Sequence, residues 1–275
     1  MPNQNVWETP TRTIYEEKKD VMIDVNCHLE QKSILDDLDD ILGRCKEYGI
    51  KAIITSCANP KDFEITLKIK EKYKGFVFAV AVIHPEFIKY FSEDEIKKTF
   101  DEIRENRNKL VGVGECGLDY WYIKEPVWRE KQADMFRKFI ALSKELKKPL
   151  VIHARDAYEE TVQILEQSGA RQVMLHMFGA NQLVKRVIDN GWHVSMNAIV
   201  MKSKKHAKVA RDIPLDRLML ETDAPWLSPS GGRNDPRAIR AVAEKIAETK
   251  KLPFGDVWEA CGRNAVSFFR LPVKI

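Results

Sequence analysis

The sequence predicts a single-domain α/β fold, a (β/α)8 TIM barrel, on three observations. Eight short apolar runs alternate along the chain with longer amphipathic stretches. The runs are rich in β-branched residues and are not interleaved with polar ones, as expected for parallel strands covered on both faces. The length of 275 residues suits one barrel with its ring of helices.

The eight runs are Val21–Val25, Ala52–Thr55, Phe76–Ile83, Leu110–Gly114, Leu150–His153, Val173–His176, Trp192–Met196 and Leu218–Glu221. Between them Ser33–Tyr48, Lys61–Tyr73, Ser92–Asn106, Val127–Lys147, Ala157–Gln167 and Asn181–Asn190 place apolar residues at helical spacing. Two further helices, near Pro236–Glu248 and Phe254–Phe268, close the chain. A doubly wound open sheet competes with the barrel, but no GxGxxG fingerprint follows the first run. The pair Gly112 and Gly114 sits at the fourth run and reads as strand-end packing. Residues 1–20 read as a solvated tail or a strap under the barrel floor, and 21–275 as the barrel.

Composition bounds the function less than the fold. Hydrophobic residues make up 44% and charged residues 31%, an ordinary globular balance. A net charge of +4 is compatible with a polyanionic substrate without requiring one. The five cysteines are odd in number and contain no CxxC pair, which points to reduced thiols rather than a disulfide framework. The polar N-terminus lacks the apolar core of a signal peptide, and no window approaches the ~20 apolar residues of a membrane span. A cytoplasmic protein without a membrane or an obligate protein partner is the expectation.

The chemistry lies in where metal-capable residues fall. Four of the six histidines, His28, His84, His153 and His176, sit at or just past the end of a run, and Glu115 and Asp223 hold the same position on the fourth and eighth. Strand C-termini of a barrel converge on one mouth, where active sites form. Any one such histidine is more simply a hydrogen-bonded rim residue; six coincidences are not. Imidazole with carboxylate suits Zn²⁺, Mn²⁺, Fe²⁺ or a hydrated Mg²⁺. His193 and His206 lack such a position and are read as non-ligands.

These segments resemble the TatD family of metal-dependent deoxyribonucleases, among the amidohydrolase-like barrels. The resemblance is carried by Val113–Gly114–Glu115–Cys116–Gly117–Leu118–Asp119–Tyr120, His153–Ala154–Arg155–Asp156–Ala157, His176–Met177–Phe178–Gly179, Glu221–Thr222–Asp223–Ala224–Pro225–Trp226–Leu227 and Arg233–Asn234–Asp235–Pro236. It spans about residue 22 to the C-terminus. One position departs: the family's opening His-x-His is Asn26–Cys27–His28 here. Asn26 is either a direct ligand or a hydrogen-bonder behind the ligands.

The resemblance implies two divalent ions, Mg²⁺ or Mn²⁺ with Zn²⁺ possible, roughly 3.5–4 Å apart and bridged by Glu115. His28 and Asp223, with or without Asn26, would hold the first; His153 and His176 the second. Asp223 would take the proton of the attacking water. Arg155, unless paired with a neighbouring acid such as Asp156 or Asp119, and Arg233 would contact phosphate, and His84 would add a substrate hydrogen bond. Asp119 reads as loop hydrogen bonding, Tyr120, Trp121 and Tyr122 as rim packing or base stacking, and Lys202–Lys208 as a solvated basic face. The implied activity is DNA phosphodiester hydrolysis at single strands or ends. The alternatives are hydrolysis of a small amide, lactone or phosphoester on the same barrel, and a metal-impaired binding protein.

Overall fold

The computed structural model describes residues 21–274; the expectation for 1–20 lies outside them. The strands are β1 (Met22–Cys27), β2 (Ile50–Cys57), β3 (Val77–Ala81), β4 (Gly112–Asp119), β5 (Leu150–Arg155), β6 (Val173–Leu175), β7 (His193–Met196) and β8 (Leu218–Leu220). They form one all-parallel sheet in sequence order. Past the strand ends, the Asp223 amide donates to Asn26 O at 2.9 Å and the His28 amide to Ala224 O at 2.7 Å. These two bonds tie the last strand back to the first on the side where the candidate ligands lie. The fold is the expected (β/α)8 barrel.

Its helices are α1 (Lys32–Leu35), α2 (Leu38–Glu47), α3 (Phe63–Lys72), α4 (Glu93–Glu105), α5 (Pro126–Leu146), α6 (Tyr158–Gln167), α7 (Val184–Asp189), α8 (Lys204–Asp212), α9 (Ile239–Lys250) and α10 (Phe254–Phe269). Helix α4 opens on a full capping box between Ser92 and Glu95. The continuous helix expected over Ser33–Tyr48 is broken at Asp36–Asp37 into α1 and α2, and the Lys202–Lys208 run supplies the start of α8.

Two apolar clusters divide the interior. The larger packs strands against the helical ring. The smaller fills the barrel with Ile23, Val25, Ile54, Val80, Val151, Met174 and Met219, and is closed from below by Val266, Phe268 and Phe269 of α10. The approach of α10 is close: a Cβ on Gly262 would lie 2.1 Å from Val21 O, so only glycine fits.

The pairing register slips at three places, between Met22 and Ile23 and between Asp24 and Cys27 on β1, and between Val113 and Cys116 on β4. All three fall on strands that deliver a candidate ligand, His28 and Glu115. A slip re-aims the side chains that follow it. The fourth strand also continues five residues beyond the expected Gly114, so that Glu115 lies within it and Asp119 ends it opposite Arg155.

Candidate active site

The strand ends open into a cavity of about 580 Å³ whose lining includes His28, His84, Glu115, His153, His176 and Asp223. Glu115 is central. Its Oε1 lies 3.3 Å from His28 Nε2 and its Oε2 3.4 Å from His176 Nε2, so its two oxygens face different histidines. Asp223 Oδ1 is 3.4 Å from the same His28 nitrogen. On the other flank, one donor atom each from His84, Glu115 and His153 lie within 4.8 Å of one another. The His84 and His153 rings meet edge to face at 4.3 Å.

Each of three histidines is backed by its own buried carboxylate. His153 Nε2 lies 2.9 Å from Asp119 Oδ2, His176 Nδ1 lies 2.8 Å from Glu221 Oε1, and His28 Nδ1 lies 3.4 Å from Glu30 Oε1. The carboxylates are anchored in turn. Asp119 Oδ1 accepts from the amides of Trp121 and Tyr122, Glu221 from Ser195 Oγ and Asn197 Nδ2, and Glu30 from Thr55 Oγ1. Such pairs fix the tautomer and direction of an imidazole and raise its basicity towards a metal.

Burial and these charges set the protonation. Burial opposes charge on His28, but Asp223, Glu115 and Glu30 outweigh it and raise its pKa well above the usual range. The same balance, with burial opposed by Glu221 and Glu115, brings His176 to about 10. Burial also works against Glu115, yet His176, His28 and His84 hold its carboxyl well below the ordinary value. Burial and the neighbouring His153 lower the pKa of His84 well below the usual imidazole range.

The donor set fits a divalent cation. Glu115 Oε1 is buried without a hydrogen-bond partner. With His176 Nδ1 committed to Glu221, its Nε2 lone pair faces a carboxylate oxygen, an arrangement favourable only with a proton or cation between the two. Imidazole and carboxylate donors together suit Zn²⁺ or Mn²⁺.

Two expected participants lie elsewhere. Arg233 does not line the cavity; its guanidinium pairs with Asp37 at 2.7 Å and caps the Ser33 carbonyl, because the segment after β8 folds outward over the start of α2. Asn26 is fully buried, with Oδ1 accepting from Ser56 Oγ and Nδ2 3.1 Å from His176 Nδ1. It does not line the cavity and lies behind His176. Arg155 does line the cavity, and among the described residues no carboxylate lies within ion-pairing distance of it. Cys27 and Cys116 are buried and free, as are the other three cysteines.

Glu30, Glu221, Tyr158 and Trp226, which had no role assigned from sequence, and His206, read there as a non-ligand, all lie at or behind this mouth. A signal existed for the first two: each stands two residues from a candidate ligand, on the strand end that carries it.

The TatD related DNase family model matches residues 23–270. The chain belongs to this family. It is 31% identical over 259 residues to the uncharacterized metal-dependent hydrolase YabD of Bacillus subtilis, covering 91% of this chain and all of that one. It is 29% identical to deoxyribonuclease TATDN3 of Homo sapiens, over 90% of this chain and 94% of that one. The TatD homologue YJJV from Escherichia coli superposes with a TM-score of 0.85 at 24% identity, over 92% of this chain and 99% of its own, a likeness of fold. This TatD-family chain is thus a metal-dependent hydrolase, and its hydrolytic centre is sought where the family's strand-end residues converge.

Proposed function

We propose that the chain hydrolyses phosphodiester bonds of DNA with divalent cations held by His28, Glu115, His153, His176 and Asp223. The observation that carries the reading is the pairing of this buried histidine–carboxylate floor with Arg155 on its rim, a guanidinium that no acid of the described residues neutralises. A guanidinium fork without an ion-pair partner matches the paired anionic oxygens of a phosphodiester better than the single neutral carbonyl of an amide or lactone. The deoxyribonuclease name of the human relative agrees with it.

Mg²⁺ or Mn²⁺, with Zn²⁺ as a further candidate, would supply charge neutralisation at the phosphate and acidify water near neutral pH. The chain's own groups do the rest. Glu115 presents one oxygen to the His28 side and the other to the His176 side. Arg155 holds the non-bridging phosphate oxygens, and His84 stands beside them as a hydrogen-bonding imidazole. Asp223, the most open of the carboxylates at this floor, takes the proton of the attacking water.

Incubation of purified protein with a single-stranded oligonucleotide, with Mn²⁺ and with chelator, tests the reading. Cleavage is expected with the metal only. Intact oligonucleotide alongside turnover of a small amide or lactone by the same metal-loaded sample would replace it with the alternative hydrolase.

A further inference from the structure

Seven large apolar side chains stand exposed among the described residues, and three of them, Trp121, Tyr122 and Trp226, line the one mouth. Each is about half exposed, at 48%, 51% and 48%. We propose that Trp226 and the Trp121–Tyr122 pair are two base-stacking walls on opposite rims, so that the substrate strand crosses the mouth with unpaired bases on both sides of the bond to be cut. The proposal rests on the phosphodiesterase reading above.

The topology sets the walls apart. Trp226 follows β8 and its ring meets the edge of His28, which follows β1, with centroids 4.8 Å apart. Trp121 and Tyr122 follow β4, and Arg155 at the end of β5 lies over both rings, 4.0 Å and 5.5 Å from their centroids. In an eight-stranded barrel of sequential order, the β4–β5 rim is diametrically opposite the β8–β1 rim. The histidine–carboxylate floor lies between.

Both walls are braced and remain about half exposed. Trp121 and Tyr122 meet edge to face at 4.7 Å. The amides of both are fixed by Asp119, the residue that also holds His153, so the wall is built on the same carboxylate as the floor. Tyr120 is different: it is only half-buried at the rim rather than exposed, and its hydroxyl donates to Glu160 at 2.7 Å. It therefore belongs to rim packing. Arg155 places a cation beside a stacking face, where the phosphate joining one base to the next would pass. Bases offer their faces in this way only when unstacked from a duplex.

The test compares Trp226→Ala, Trp121→Ala and the conservative Trp226→Phe with wild type on a short single-stranded oligonucleotide under saturating Mn²⁺. The alanine variants are expected to raise KM about 5- to 100-fold each, with a smaller change in kcat, and phenylalanine to restore most of the loss. On the same oligonucleotide carrying abasic sites on both sides of the cut, wild type and variants should converge. Wild-type KM in both alanine variants, or an undiminished difference on the abasic strand, overturns the stacking walls alone. Absence of cleavage by wild type overturns the phosphodiesterase reading and the walls with it.

Discussion

Glu115 and Glu221 are both buried glutamates at His176, on its two nitrogens, and their tasks differ. Glu115 lies between His28 and His176 and has an oxygen without a hydrogen-bond partner. Glu221 is saturated by Ser195, Asn197 and His176. Glu115→Gln should abolish hydrolysis while leaving the melting temperature near that of wild type, because it removes an anion from a site crowded with ligands. Glu221→Gln should keep the fold and weaken Mn²⁺ or Zn²⁺ binding about 10- to 100-fold, since the amide no longer holds the Nδ1 proton of His176 in place. Titration calorimetry reads the second effect without any turnover, and unchanged affinity would remove Glu221 from the site. Sequence reasoning could bring the five candidate ligands to one cavity because their address, a strand end, is encoded by hydrophobic runs. It could not place Arg233, whose nearest acid, Asp37, is 196 positions away in the chain and becomes a neighbour only in the folded barrel.

At the scale of elements, β4 and β5 hold the floor together, and their contact depends on glycine. Gly117 has φ +142° and pairs with His153, and a Cβ there would lie 2.0 Å from the His153 carbonyl oxygen. Gly117→Ala is therefore expected to cost about 1–3 kcal/mol or more through strain and displaced backbone, and to lower the melting temperature by several degrees. Because the displaced backbone is that of His153, metal affinity should fall with it; a variant with wild-type stability and affinity would show the strands can separate freely. The strand's existence was legible as an apolar run, but its extension to Asp119 was not. Glu115–Cys116–Gly117 reads as a loop by composition, and only pairing with β5 across a slipped register draws it into the sheet. The same holds for β1: no feature of Asp24–Cys27 alone announces the slip that leaves Asn26 behind His176.

Across the whole molecule, the barrel gathers buried titratable groups at the mouth formed by the strand C-termini, away from its opposite end. His193 is the instructive exception, at the start of β7, on the end opposite the mouth. Its ring lies 5.0 Å from Phe268, its Nδ1 is buried without a partner, and burial, with Arg217 adding to it and Asp216 opposing, lowers its pKa to about 4. An unfolded histidine titrates near 6.5. As pH falls from about 6.5 to 4 the unfolded chain therefore gains a proton that the folded chain refuses. The stability contributed by neutral His193 is complete above pH 6.5 and is lost progressively towards pH 4, by on the order of 1–3 kcal/mol. His193→Gln should flatten this limb while leaving metal binding at the distant mouth unchanged. Urea midpoints measured at each half unit from pH 7 to 4 check it; a variant whose midpoints fall as steeply as those of wild type would move the acid sensitivity to the carboxylates of the rim.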